Sequence, residues 1–520
     1  MIRWKKAAAP MGGSGLLIAA ATVLFGSTAL AQVGAPPPSN GSQAAQLPLS
    51  GRTGQTGGVS ATQTPVPGTT TSVDTLNPSI QVQGPYSGSA NSTAAMPFSG
   101  KLSLREAIQR GLSYNLGEIS LTQAARQSKA MSHAARSALL PNVSGAIFAT
   151  DETENLAALG LNFNVPGFRL PTLVGPFDYV DIRATLSQTI LDLTALNNYR
   201  SANAISRADQ LAALDARDLV VLAVSGTYLQ VLAAKARVDA AQAQLETANA
   251  VYQQTLQQRN VGLVAQIDAN RSQVEALTEQ QRLLSLENDL GKQKINLARL
   301  TGLPPSDQYE LTDDVPFEAA PPIAVQEALQ QALAQRSDLK AAEGQVRAAQ
   351  LTRSAARDER LPSISVNGNY GAIGPTPAEA RGTFAVAGTL RVPIWLGGKT
   401  EADIAEANAV VAQRQAELED LKSSIEGEVR NAYLDLQTAT SQVDLAKTNL
   451  AVSQETLVLA RQRFDAGVTD AVEVVQTQQT VATAQLDYIN SVFAHNVAKL
   501  SLARAMGDTA DNLAKFLKLP

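Results

Sequence analysis

Residues 260–268 read NVGLVAQID, and they interrupt a stretch otherwise committed to helix. From about Asn198 onward the chain is Ala, Leu, Gln, Val and Arg, and that composition resumes directly after the break. A glycine beside a β-branched cluster in such a run marks a reversal, because glycine reaches positive φ without steric conflict. The same interruption returns at 465–473 as DAGVTDAVE. Each break reads as the tip of a long helical hairpin.

Around these breaks the chain repeats itself. LREAIQRGL (104–112) matches VQEALQQAL (325–333), and LPNVS (140–144) matches LPSIS (361–365), both 221 residues apart. Gly262 and Gly467, Asp268 and Glu473, and LARLTG (297–302) and LARAMG (502–507) stand 205 apart. The difference, 221 − 205 = 16, is an insertion in the first copy. It lies between LPNVS and TILDL (189–193), an interval longer than its counterpart between LPSIS and PIWLG (393–397).

Those two intervals are where the helical pattern stops. In TFAVAGTLRVPI (383–394), Phe384, Val386, Leu390, Val392 and Ile394 alternate with Thr383, Thr389 and Arg391. SISVNGNY (363–370) alternates through Ile364, Val366 and Tyr370, and YVDIRATLSQTI (179–190) through Val180, Ile182, Ala184, Leu186 and Ile190. Period-two alternation predicts strands with one apolar and one polar face. Each copy therefore reads as helix, strand, loop, strand, long helix, turn, long helix, with the insertion in the loop.

The helices keep a seven-residue rhythm. Ile404, Val411, Leu418 and Ile425 are spaced by seven; Val429, Leu436, Val443 and Leu450 continue it, with Ala432, Ala439 and Ala446 beside them. Sustained heptads mean coiled-coil packing, and alanine at one seam lets helices approach closely. The run 400–452 alone is about 80 Å long at the helical rise, so such helices must lie side by side. Four strands cannot close a membrane barrel, since the smallest uses eight, and an open sheet would leave unpaired edges in lipid. Several subunits pooling their strands would close one.

Composition agrees with this reading. The 520 residues include no Cys, two His and only 4% aromatic side chains, a balance that favours helices over a large β protein. Arg3, Lys5 and Lys6 precede the apolar run LLIAAATVLF (16–25), which ends in Ala29-Leu30-Ala31. That predicts a secretory signal peptide over 1–31, too short to span a bilayer. Its removal takes away three positive charges and moves the net charge from −5 to −8, a poor balance for nucleic acid. Residues 32–98, rich in Pro, Gly, Ser, Thr and Gln, read as a disordered leader. Repeats at 99–303 and 323–508 follow, joined by a linker at 304–322, with a tail at 509–520.

The search for chemistry finds no enzyme signature. His133 and His495 stand alone, without metal-ligand spacing, and no nucleophile elbow, phosphate loop or dinucleotide fingerprint occurs. The expectation is a protein without catalytic, cofactor or metal sites.

The ordered set of features resembles the outer-membrane efflux family typified by TolC: the two-fold repeat, the strands after LPNVS and LPSIS, VGLVAQID, and the closing LARLTG and LARAMG. It covers about residues 100–508. The resemblance implies a mainly α fold with a small β part. Long coiled-coil hairpins would build an α-barrel, and four membrane strands per chain would close as a 12-stranded β-barrel in a homotrimer. It also implies a passive duct in the outer membrane of a Gram-negative bacterium, with its helices in the periplasm. Such a duct serves a tripartite efflux or type I secretion system, coupled by a periplasmic adaptor to an inner-membrane pump of RND or ABC type. Val261, Gly262 and Leu263 reproduce the family's adaptor-docking tip, while Ala466, Gly467 and Val468 keep only its glycine. At the family's periplasmic gate, Asp268 matches the first-hairpin acid and Glu473 one ring carboxylate. Phe464, Thr469 and Gln476 stand at the other gate positions, so the expected Arg and second ring acid are missing. Both acids also suit the first turn of a helix, where they complement the dipole. The rival readings are a periplasmic coiled-coil adaptor, which carries a single hairpin, and a structural fibre, which needs no duplication.

Overall fold

The computed structural model describes residue 45 and residues 57–67, 74–90, 98–158, 160, 164–165, 168–169, 171–306, 308–313, 317–320, 322–469 and 471–507. The signal peptide expected at 1–31 and the tail expected at 509–520 lie outside the described residues. In chain order the first half holds β1 (Val59–Val66), β2 (Thr75–Val82), β3 (Lys101–Leu102), α1 (Leu104–Tyr114) and α2 (Leu116–Ser137). It continues through β4 (Asn142–Asn155), β5 (Asn164–Val165), β6 (Phe168–Arg169), β7 (Leu173–Leu191), α3 (Leu193–Asn260) and α4 (Gln266–Thr301). The second half holds β8 (Glu310–Leu311), α5 (Val325–Gln335), α6 (Ser337–Asp358), β9 (Ser363–Gly374), β10 (Arg381–Arg391), α7 (Lys399–Asp465) and α8 (Ala471–Ala505). The repeat is visible in the order itself: two short helices, two strands, one very long helix and one shorter one.

One unit is the sheet, built from residues 143–186 and 367–387. Its strands are ordered β10-β9-β7-β4, so β7 and β9 bring the two repeats together and β4 and β10 form the edges. Arg183 on β7 holds Asp181 at 3.1 Å and reaches Asn369 on β9 at 2.7 Å. Gly371 makes room for this, since a Cβ there would stand 2.9 Å from the Arg183 Cα. The longer β4–β7 connection carries the two-residue pair β5–β6. β10 ends at Arg391, short of the expected 394, because Pro393 has no N–H to give a ladder.

The other unit contains the helices. Their starts follow local chemistry: Ser103 accepts from the Glu106 N–H to cap α1, Asn115 from Gly117 to cap α2, and Asp192 from Ala195 to cap α3. The long helices pair as α3 with α4 and α7 with α8, α8 packs on both α3 and α4, and α6 contacts both α3 and α7. One core gathers Leu102, Leu104, Val220, Val224, Tyr228, Leu297 and Leu500. A second is alanine-rich and gathers Ile425, Val429, Ala432, Leu436 and Ala439 with Ala498 and Leu502. The heptad seam therefore faces inward as its spacing requires. An apolar stretch of α3 is long enough to cross a membrane, but it is largely buried and serves as core.

The leader corrects an expectation. Residues 59–66 and 75–82 are not disordered: β1 and β2 pair antiparallel and pack on α3 and α8. Leu76 is buried in the alanine-rich core, and its N–H donates to Gln442 Oε1 at 3.0 Å. Two glycines act as sockets. A Cβ at Gly226 would stand 2.8 Å from Ile80, and one at Gly117 would stand 2.4 Å from the buried Tyr86 ring. The few apolar residues of this segment suffice because the helices supply the rest of the pocket.

Candidate functional site: the paired helical tips

Both helix breaks close in the same way. At the first, the Gly262 N–H donates to Arg259 O at 3.0 Å and the Leu263 N–H to Gln258 O at 2.9 Å. At the second, Gly467 donates to Phe464 O at 3.0 Å and Val468 to Arg463 O at 2.9 Å. These are Schellman closures, with glycine at φ +81 and +71 in the position that requires the left-handed region. A Cβ at either glycine would meet open space, so the requirement is purely conformational. Val261, Leu263, Ile267 and Val468 are exposed, which makes both tips apolar at their ends. Ala466 is the C-cap of α7 and stays helical.

The gate positions divide into different roles. Phe464 is buried with Val251, Leu457, Val474 and Val481, so it belongs to the core that joins α3, α7 and α8. Glu473 is held twice: Arg463 Nη1 lies 3.1 Å from its Oε1, and the Thr469 hydroxyl donates to its Oε2. Asp268 pairs within its own helix with Arg271 at 3.5 Å. Gln476 is exposed. The structure thus joins Thr469 to Glu473 and leaves Asp268 in a separate pair.

Several polar contacts between hairpins escaped the sequence reading. Gln254 on α3 donates to Asp465 on α7 at 2.7 Å, and Gln479 on α8 to Glu275 on α4 at 2.9 Å. Arg237 and Gln244, one heptad apart on α3, reach Asn490 and Gln485 on α8. The heptad spacing of Arg237 and Gln244 is visible in the sequence, but nothing in it names the partners.

The edge helices carry a second kind of surface. Along α4, Ile267, Val274, Leu277, Leu284 and Ile295 are exposed; along α7, Leu434, Leu445, Val452 and Leu459 are exposed. The steps are 7, 3, 7 and 11 on α4 and 11, 7 and 7 on α7, all spacings that return to nearly the same side of a helix, so each set forms one stripe. The strands add a third surface. Phe384, Val386 and Leu390 on β10 and Ile182, Leu186 and Ile190 on β7 are exposed apolar residues, all at even positions and so on one face of their strand. Among the described residues there is no group of three or more His, Cys, Asp or Glu placed to hold a metal.

Known proteins share both the sequence and the fold. The chain is 27% identical over 295 residues to the pyoverdine export outer membrane protein OpmQ of Pseudomonas putida; the match covers 55% of this chain and 61% of that protein, short of two thirds. It is 24% identical over 402 residues to the toluene efflux pump outer membrane protein TtgF of Pseudomonas putida, covering 74% of this chain and 79% of that protein. The fold superimposes on the Campylobacter jejuni CmeC outer membrane channel with a TM-score of 0.68 at 18% identity, over 80% and 89% of the two chains. The outer membrane protein VceC of Vibrio cholerae gives 0.67 at 16% identity, over 78% and 96%. The profile of the outer membrane efflux protein family matches residues 113–303 and 328–508, the two repeats that the helical tips punctuate, and the chain belongs to that family.

Proposed function

We propose that the chain is one protomer of a trimeric duct in the outer membrane of a Gram-negative bacterium. It is a passive exit for molecules that an inner-membrane pump of RND or ABC type delivers through a periplasmic adaptor. One observation carries the reading: each unit ends in two open and dissimilar edges. In the sheet these are β4 and β10; in the helices they are α4 and α7 with their exposed apolar stripes. Edges that differ call for head-to-tail contacts, and such contacts close rings when the rotation permits. Three copies supply twelve strands, enough for a membrane barrel where four are not. The apolar alternate face of the strands supports a lipid surround, and the signal expected at 1–31 supports export. The helices then lie in the periplasm.

The exposed apolar tips, Val261 to Leu263 and Ala466 to Val468, are the adaptor-docking surface in this reading. Asp268, Thr469, Glu473 and Gln476 form the periplasmic gate, with Phe464 as its packed support. The relatives' names, for pyoverdine export and toluene efflux, favour small organic cargo over secreted polypeptide. The duct performs no chemistry of its own.

Extraction of outer membranes in mild detergent and sizing of the oligomer tests the reading. A trimer is expected; a monodisperse monomer with channel activity would overturn it. Because the sequence has no Cys, a single Cys at Ala158 or Ala378 reports topology directly. Either should react with an impermeant thiol reagent on intact cells, and protection at both would reverse the orientation.

A further inference from the structure

The two repeats pass from strand to helix differently. In the first, a single residue, Asp192, separates β7 from α3 and caps the helix. In the second, seven residues (392–398) separate Arg391 from Lys399. Pro393 stops the ladder, and Gly397 (φ +65) and Gly398 (φ +83) turn the chain into α7. This junction holds Ile394 and Trp395 away from all packing: they are 96% and 85% exposed. Two large apolar side chains left in water forgo the hydrophobic gain of burial, so some surround must cover them.

The sequence of surroundings names that cover. Exposed Leu390 and Val392 come first, continuing the apolar strand face, and Ile394 extends them. Trp395 follows. Four residues later begins a charged band: Lys399 Nζ lies 2.5 Å from Asp403 and 3.8 Å from Glu359, and Arg360 pairs with Glu401 at 2.9 Å. Apolar, then indole, then charged is the order across the border between acyl chains and headgroups, where an indole buries its ring and keeps its N–H wet.

On the reading of the chain as an outer-membrane duct, we propose that Trp395 and Ile394 seat in the headgroup–acyl border of the periplasmic leaflet. There they fix the depth at which each protomer changes from strand to helix. The ligand is a phospholipid surface, and the first repeat has no tryptophan at its strand–helix junction.

The test exploits tryptophan count. The sequence has two, Trp4 and Trp395; Trp4 lies in the signal peptide expected at 1–31, so Trp395 is the single emitter of the exported protein. The full oligomer is reconstituted into vesicles of phosphatidylcholine carrying bromine either near the headgroup end of the acyl chain or near its terminal methyl. Emission should be blue-shifted from that of aqueous indole. It should be quenched more by shallow than by deep bromine, protected from acrylamide, and lost in Trp395→Phe. Red emission quenched by acrylamide would place the indole in water; blue emission indifferent to bromine would place it under protein. Either overturns the proposal. Flotation and conductance of the same vesicles separate the two failures: a channel that inserts and conducts without bromine quenching sinks this inference alone, whereas one that never inserts sinks the duct.

Discussion

Arg463 Nη1 lies 3.1 Å from Oε1 of Glu473, an ion pair that spans the second helix break. The partners stand on α7 and α8, and the Schellman turn at Gly467 brings them together. Glu473 is therefore an ion-paired carboxylate, and in the proposed gate Arg463 offsets its charge as long as the pair holds. Both side chains are substantially exposed, so the pair contributes at most about 1 kcal/mol to stability. Its influence is on local charge. Arg463→Gln should raise cation over anion selectivity in single-channel recordings, because bared carboxylates around one axis favour cations. Glu473→Gln should reverse the effect in the double variant. Equal selectivity in wild type and Arg463→Gln would move the aperture elsewhere.

The leader hairpin gives a second expectation. Gly226→Val and Gly117→Leu each put side-chain atoms where Ile80 and the Tyr86 ring now sit. Either should expel β1 and β2 while the helices remain, so limited proteolysis should cut between 57 and 90 at low protease concentration. Wild type should resist at the same dose. Uncut variants would show that the sockets do not hold the segment.

Asp215 on α3 and Arg504 on α8 form a buried pair, Oδ1 to Nη2 at 2.5 Å, which ties the first repeat to the second. Tyr86 lies close enough to sense it: its hydroxyl is pushed up to about 12, first by burial and then by the Asp215 charge. Removing one partner leaves the other charge buried with only Arg336 and Asp338 nearby to offset it, a loss of about 3–5 kcal/mol. Asp215→Asn and Arg504→Gln should each lower the denaturant midpoint. The double replacement by leucine should recover a large part of that loss. Additive single and double effects would show that the two charges do not interact.

These features differ in how far sequence announces them. The inward seam was legible because its spacing is local: Ile425, Val429, Leu436 and Val443 are buried where heptads put them. The outward stripe on α7 has the same spacing at Leu445, Val452 and Leu459, and periodicity alone does not say which stripe a neighbour covers. The tip turns were legible from Gly262 and Gly467. The Arg463–Glu473 pair was not, because it depends on how the turn folds ten residues back. The leader was misread for a related reason: its apolar residues are sparse, and the sockets that receive them are glycines on distant helices. Composition measures what a segment brings and is blind to what the rest of the chain offers it.

His495 gives the pH dependence. It is fully buried on α8 with its ring 4.7 Å from that of Phe317. Burial, and then the charge of Lys499, push its pKa down from 6.5 to about 4. Lys499 is itself buried and donates to the Glu318 carbonyl at 3.0 Å. Between these two values the unfolded chain binds a proton that the folded chain refuses. Stability from this group is thus intact above about pH 6.5 and falls as pH drops toward 4, by about 1.4 kcal/mol per unit. His495→Leu removes the titration and keeps an apolar side chain in place. Whatever the variant's stability at pH 7, its difference from wild type should shift in the variant's favour by about 2 kcal/mol between pH 6.5 and 5. Denaturant unfolding of the detergent-purified protein at several pH values measures this. Parallel wild-type and variant curves across that window would mean that the imidazole takes its proton in the folded state as readily as in the unfolded one.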